Sequence, residues 1–139
     1  MLEIDLKPYD FIIATPPCNY YSRANWRRNK SEYSLKTKHL LPKILMKLNK
    51  LNKPYLVENV RNKTLMKDIY NLVPFVYEYG RHTYFTNILF NPNNIPQKYD
   101  DIQNGSKALR QGGENVHNVI EYWLENVYEI YEKKERKGD

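Results

Sequence analysis

The chain carries one cysteine, Cys18, and its neighbours give it a setting in which a thiol could react. It follows Pro16 and Pro17 directly after the apolar run at residues 10–15 (DFIIAT). A short apolar run that stops at prolines reads as a buried parallel strand ending in a loop, and open α/β sheets place ligands and reacting groups just beyond the carboxyl ends of their strands. Plain packing is the competing reading, because a lone cysteine is most often a small buried side chain. Glu58 invites the same comparison. It closes the apolar run at residues 55–60 (YLVENV), where it either reaches solvent or faces the crevice that Cys18 faces. A thiol beside a carboxyl group suits nucleophilic addition to an activated ring: the sulfur attacks, and the protonated carboxyl group donates a hydrogen bond to the heteroatom that gains charge.

The elements between and around these two residues must bring them together. Leu40, Leu41, Ile44, Leu45, Leu48 and Leu51 recur at helical spacing with Lys43, Lys47, Lys50 and Lys53 mostly opposite, and Pro54 ends the helix. Strand, helix and strand make a crossover unit, so the strands are expected to be parallel, with a right-handed connection. Residues 62–72 predict a further helix carrying Leu65, Ile69 and Leu72, with Asn62 as its N-cap. Residues 75–79, a break at Gly80, and residues 83–90 read as a closing antiparallel pair. Residues 16–32 lack periodicity and read as a long loop, and such loops in compact domains are commonly functional. The connection at 91–112 is turn-rich and expected to be irregular, with Gly112-Gly113 read as a turn. A last helix over 113–135 keeps Val116, Val119, Ile120, Trp123, Leu124, Val127, Ile130 and Tyr131 on one face. The expected architecture is a single α/β domain of 139 residues: parallel strands, then an antiparallel pair, then a C-terminal helix.

Three segments in this order resemble motifs of the DNA cytosine-5 methyltransferases. TPPCNYYS (15–22) is similar to their Pro-Cys motif, VENV (57–60) to their Glu-Asn-Val motif, and GRHTYFTN (80–87), less closely, to the arginine-containing motif that follows. The resemblance covers residues 8–90 and implies half of a doubly wound, Rossmann-like methyltransferase sheet. By that resemblance Cys18 adds to carbon 6 of a cytosine, Glu58 contacts ring nitrogen 3, and carbon 5 receives a methyl group from S-adenosylmethionine. It also implies that Pro17 and Asn59 shape the site, with Asn59 bracing the glutamate loop. Arg81 matches the first arginine of the third motif and is a cation that could activate Cys18. The second arginine position falls on Thr83, which puts catalytic competence in doubt.

Charge distribution fits a nucleic-acid partner without requiring one. The net charge is +6, and between Arg23 and Lys53 ten Lys and Arg residues face a single acid, Glu32. A solvated basic face is the alternative reading. A stacked cytosine is out of reach in duplex DNA and must flip out. Ser22, Arg23, Arg27, Arg28 and Lys30 could contact phosphates in return, with Trp26 available to stack or wedge.

The cofactor half of the family pattern, a strand followed by a glycine-rich turn, has no counterpart in this sequence. In a sheet of order 3-2-1-4-5 the strand before Cys18 is the fourth, so without the first three it is expected to be an open apolar edge, and such edges pair with something. A second polypeptide that supplies the missing strands and the S-adenosylmethionine pocket is the economical partner, and a homodimer joined edge to edge is the competitor. The reading is therefore the catalytic half of a split DNA cytosine-5 methyltransferase, with a non-enzymatic DNA-binding or regulatory module as its alternative. A single cysteine and no Cys/His cluster of zinc spacing point to a reducing cytosol and no metal. No run approaches a membrane span, so a soluble, cytoplasmic protein is expected.

Overall fold

A computed structural model describes residues 3–17, 20–21, 32–90 and 113–138. Its elements are β1 (Ile12–Ala14), α1 (Glu32–Leu51), β2 (Tyr55–Val60), α2 (Lys63–Met66), a 3-10 turn (Ile69–Leu72), β3 (Phe75–Tyr79), β4 (His82–Thr86) and α3 (Gly113–Gly138). The four strands form one sheet in the order β1-β2-β4-β3. β1 and β2 are parallel, with Ile12 beside Tyr55 and Ala14 beside Val57. β4 runs antiparallel to both β2 and β3. The crossover unit and the closing antiparallel pair are thus as the sequence pattern predicts, and β1 pairs with no other strand among the described residues.

Helices cover both faces of the sheet, which explains why β2 has no polar alternation over its first three residues. On one face Leu41, Ile44, Leu45 and Leu48 of α1 pack with Ile12, Ala14, Tyr55, Val57 and Phe85. On the other, Val119, Trp123 and Val127 of α3 pack with Leu56, Tyr84 and Phe90. Trp123 finds a polar partner within this core: its Nε1–H donates to Thr86 Oγ1 at 2.9 Å, and that hydroxyl donates to the Tyr55 carbonyl at 2.7 Å.

α1 begins at Glu32, eight residues before its regular apolar spacing starts, and it contains Pro42. A proline has no N–H, so the carbonyl four residues earlier, that of Lys38, loses its helical donor. The Tyr21 hydroxyl replaces it, donating to the Lys38 carbonyl at 2.8 Å. The helix defect is therefore a docking point for the end of the preceding loop.

Other boundaries differ from the sequence reading. β1 is three residues long rather than six, and β4 stops at Thr86, where Asn87 turns inward to cap the start of β2. Asn87 accepts from the Tyr55 N–H at 3.0 Å and donates to the Lys53 carbonyl at 2.8 Å. The single helix expected over 62–72 is two short pieces. Asn62 does cap the first, accepting from the Leu65 N–H at 3.4 Å, but Leu65 and Leu72 are exposed and the buried residues are Met66 and Ile69. The chain must turn between them to bring β3 back to the sheet, and only three-residue spacing keeps both inside. α3 extends to Gly138, and Gly113, expected in a turn, is its first residue. The connection at 91–112 lies outside the described residues. Lys47 and Lys53, expected only as part of a basic face, also hold the N-terminal segment: Lys47 Nζ donates to the Ile4 carbonyl at 2.6 Å and Lys53 Nζ to the Tyr9 carbonyl at 2.6 Å.

The Tyr21–Pro42 arrangement predicts coupled stabilities. Tyr21→Phe leaves the Lys38 carbonyl without a donor and costs about 1–2 kcal/mol. In a Pro42→Ala background, where a backbone N–H is restored, the same change costs less than half as much. Urea unfolding of the four species as a double-mutant cycle measures the difference.

Candidate functional site

Adjacent residues of a strand point to opposite faces of a sheet, and β2 uses this at its carboxyl end. Glu58 lies on the α3 face, directly opposite Tyr84 of β4, while Val60 is opposite His82. Glu58, His82 and Tyr84 therefore share one face. Glu58 Oε1 is 3.3 Å from His82 Nε2, and the two side chains are only 15% and 14% exposed. His82 Nδ1 and the Tyr84 hydroxyl are buried with no hydrogen-bond partner among the described residues.

Burial sets the protonation of this cluster. It pushes Glu58 from the usual carboxylic acid value of 4.5 up to about 7. It pushes His82 below its ordinary value, with the Arg81 cation adding to the effect. An ion pair between the two would move both in the other direction, so desolvation outweighs their attraction. Burial also raises the Tyr84 phenol, helped by Glu58 and Tyr79. Near neutral pH the site is a carboxylic acid at its midpoint, next to an uncharged imidazole. A group with this midpoint is suited to give and take a proton at working pH.

Asn59 points to the other face and is almost wholly buried. Its Nδ2 donates to the Pro16 carbonyl at 3.5 Å, and its Oδ1 accepts from the Val60 N–H at 2.8 Å. It thus bonds within its own Glu-Asn-Val segment and also to the Pro16 stem that leads to Cys18 in sequence. Buried Asn62 secures the other end of the Pro-Cys motif by donating to the Tyr21 carbonyl at 2.9 Å. Tyr20 and Tyr21 are buried and meet edge to face at 5.0 Å, with Lys38 Nζ 5.2 Å from the centre of the Tyr20 ring. Pro16 and the two tyrosines are thus held on either side of residues 18–19 in sequence, and Pro17 is exposed. Cys18 itself lies outside the described residues, as do Ser22, Arg23, Trp26, Arg27, Arg28 and Lys30.

Arg81 sits in the two-residue turn that joins β3 to β4, is exposed, and accepts from the Arg61 N–H through its carbonyl at 3.0 Å. The positive φ of Gly80, 61°, at the first central position of this turn is one that glycine adopts without steric cost. Thr83 is fully buried on the face opposite Glu58. Its hydroxyl is 3.5 Å from the Tyr70 hydroxyl, which donates to Glu78 Oε1 at 2.8 Å, and Glu78 Oε2 is 2.9 Å from Arg61 Nη2. In this strand position 83 has no access to Glu58, and the side chain of the third motif that reaches it is His82. Reasoning from sequence missed His82 because its partner follows from cross-strand register. The signal that could have found it is the alternation of β4, once the strand is paired with β2.

Among the described residues no group of three His, Cys, Asp or Glu side chains could hold a metal ion, and no helix is long and apolar enough to cross a membrane. A cleft of about 280 Å³ lies at the opposite end of β2, lined by Lys53, Pro54, Asn87 and Tyr131 among others. Three of its polar side chains already serve the fold: Asn87 caps β2 and Lys53 holds the Tyr9 carbonyl, as described, and the Tyr131 hydroxyl donates to the Asp10 carbonyl at 2.9 Å. No family model matches the chain, and no curated protein or solved structure matches it either.

The raised Glu58 makes stability depend on pH with a definite sign. Between pH 4.5 and about 7 the folded chain holds a proton on Glu58 that the unfolded chain has lost. Its contribution is therefore fully present below 4.5 and lost as pH rises through about 7. His82 acts oppositely, removing stability as pH falls through the ordinary histidine range. Glu58→Gln should leave the histidine effect in place and gain on the parent chain as pH rises. The gain is small at pH 5 and reaches on the order of 2–3 kcal/mol at pH 8. Urea unfolding across this range checks it.

Proposed function

We propose that this chain is the catalytic half of a split DNA cytosine-5 methyltransferase. The observation that carries the reading is the buried, half-protonated Glu58 at the carboxyl end of β2, next to a parallel strand whose outgoing loop holds Cys18 two residues beyond the tethered Pro16. Addition of a thiolate to carbon 6 of a cytosine pushes an electron pair toward ring nitrogen 3, which needs a proton. A carboxyl group that titrates near 7 supplies it at little cost in driving force. The S–C6 bond forms, the Oε–H bond of Glu58 breaks, and carbon 5 becomes nucleophilic. Arg81 supports this chemistry through its charge beside His82, since a cation there opposes protonation of the imidazole.

The described residues do not fit S-adenosylmethionine. The turns after β1 and β2 begin Thr15-Pro16-Pro17 and Arg61-Asn62, with no glycine to let a nucleoside approach the backbone. In this reading a partner chain holds the methyl donor, and it docks along β1, whose outer side pairs with no described strand. DNA is the substrate, and the basic residues from Arg23 to Lys30 bind its phosphates. A second copy of this chain along the same edge is the competing partner.

The second reading, a DNA-binding or regulatory module without activity, draws on Thr83. Where the resemblance calls for an arginine at the base, this chain has a side chain sealed against Tyr70.

The chain, the product of the adjoining gene and S-adenosylmethionine are incubated with duplex DNA containing 5-fluorocytosine. A covalent protein–DNA adduct is expected on a denaturing gel. Cys18→Ser should form none, and Glu58→Gln should form it about 10²-fold more slowly. No adduct together with salt-sensitive DNA binding would establish the module reading instead. By itself the chain is expected to show no heat of binding with S-adenosylmethionine at micromolar concentration in a calorimeter.

A further inference from the structure

The close contact between Glu58 and His82 raises a question that the proposed chemistry leaves open: which carboxyl oxygen carries the proton. Oε1 lies 3.3 Å from the imidazole Nε2, and both side chains are mostly buried. The other ring nitrogen, Nδ1, is buried without a partner among the described residues. A neutral histidine has one N–H and one bare nitrogen, and the hydrogen bond made at one position sets the tautomer at the other. With the proton on Nδ1, a buried N–H would be orphaned, and Nε2 would draw the Glu58 proton onto the imidazole and away from any substrate. With the proton on Nε2, the unsatisfied atom at Nδ1 is only an acceptor, which interiors tolerate better than an orphaned donor. The Nε2–H then donates to Oε1, and the carboxyl proton resides on Oε2.

We propose that His82 is a positioning residue that donates from Nε2 to Glu58 Oε1, so that the Glu58 proton is held on Oε2 and presented to the acceptor nitrogen of a pyrimidine. The substrate role rests on the function proposed above; the hydrogen bond and tautomer stand on the geometry alone. As Cys18 adds to the ring, the Oε2 proton passes to the ring nitrogen and Glu58 becomes a carboxylate. Its Oε1 still accepts from Nε2–H, now as a charge-assisted bond. On collapse of the adduct the proton returns to Oε2, so His82 loses no proton in either direction.

The charged and titratable groups around the pair are few. β4 supplies the Tyr84 hydroxyl, β3 supplies Tyr79 next to it, and the β3–β4 turn supplies Arg81. α3 packs Val119, Trp123 and Val127 on this face, with the partly buried phenols of Tyr122 and Tyr131 at the edge of the same cluster. Tyr84 is itself un-ionised well past neutrality, because burial raises its phenol. Burial is what raises Glu58, and the donor at His82 Nε2 is what the proposal adds to it.

The test uses the full chain, with Glu labelled at the carboxyl carbon and His at the ring nitrogens, followed by NMR. In the parent protein at pH 8 the ¹⁵N shifts should show His82 protonated at Nε2 and bare at Nδ1, a readout that needs no variant. The opposite tautomer would overturn the proposal. Glu58 should titrate near 7. In His82→Phe, which keeps a ring but no donor, its midpoint should rise by about one unit, a tenfold gain in proton affinity. In His82→Gln, whose amide nitrogen can donate from a similar position, it should return toward the parent value. An unchanged midpoint in His82→Phe would also refute the donor role. If these titrations come out as expected while no DNA adduct forms, the positioning bond stands and the methyltransferase reading is what fails.

Discussion

The alternation of β2 is the constraint on which the site depends. It is the inner strand, paired with β1 over Tyr55–Val57 and with β4 over Leu56–Val60, so its side chains are committed to one helical layer or the other. Two adjacent polar residues at its carboxyl end are therefore forced apart. Glu58 enters the α3 layer beside His82, and Asn59 enters the α1 layer and meets the Pro16 carbonyl. One acquires a perturbed acidity and the other secures a loop. A slip of one residue in register would exchange these roles and drive Tyr55 and Val57 from one core into the other. The apolar residues of β2 thus fix the chemistry of its polar ones.

The electrostatics of the pair follow from a competition of magnitudes. Two full charges 3.3 Å apart attract by about 5 kcal/mol at an effective dielectric constant near 20. Removing a carboxylate and an imidazolium from water costs several kcal/mol for each. With so little exposure the second effect prevails, and both partners shift toward their neutral forms. The margin is small enough that Glu58 remains within reach of ionisation at neutral pH. Greater burial would lock the proton on, and freer hydration would strip it off near pH 4.5.

Much of this fold was legible in the sequence, and the failures have physical causes. The parallel pair, the intervening helix, the antiparallel closure and the last helix all announce themselves through apolar periodicity and the breaks at Pro54 and Gly80. The start of α1 did not, because residues 32–39 keep no regular apolar face and Pro42 argues against a helix continuing through it. Nothing local reveals that a tyrosine 21 positions earlier supplies the missing donor. At the site, Glu58 and Asn59 were singled out from type and position in a strand, and the structure adds the Pro16 carbonyl as a partner of Asn59. His82 was overlooked because its significance lies in cross-strand pairing. Thr83 drew attention as a missing arginine, whereas the sheet turns that position away from Glu58.

The three tethers to the loop stems are best understood together. Asn59 holds Pro16, Asn62 holds Tyr21 through its carbonyl, and the Lys38 carbonyl holds Tyr21 through its hydroxyl. Each net hydrogen bond contributes only about 1 kcal/mol, which is modest beside the entropy of ordering even two or three residues. They are affordable because β2 and α1 are already rigid for other reasons, so the tethers need only orient segments whose rings are buried by Tyr20 and Tyr21. The same economy explains why the anchors lie on both sides of Cys18 in sequence. Asn59 is joined directly to Glu58 in the backbone, so any shift of β2 that moves the carboxyl group also pulls on the Pro16 carbonyl.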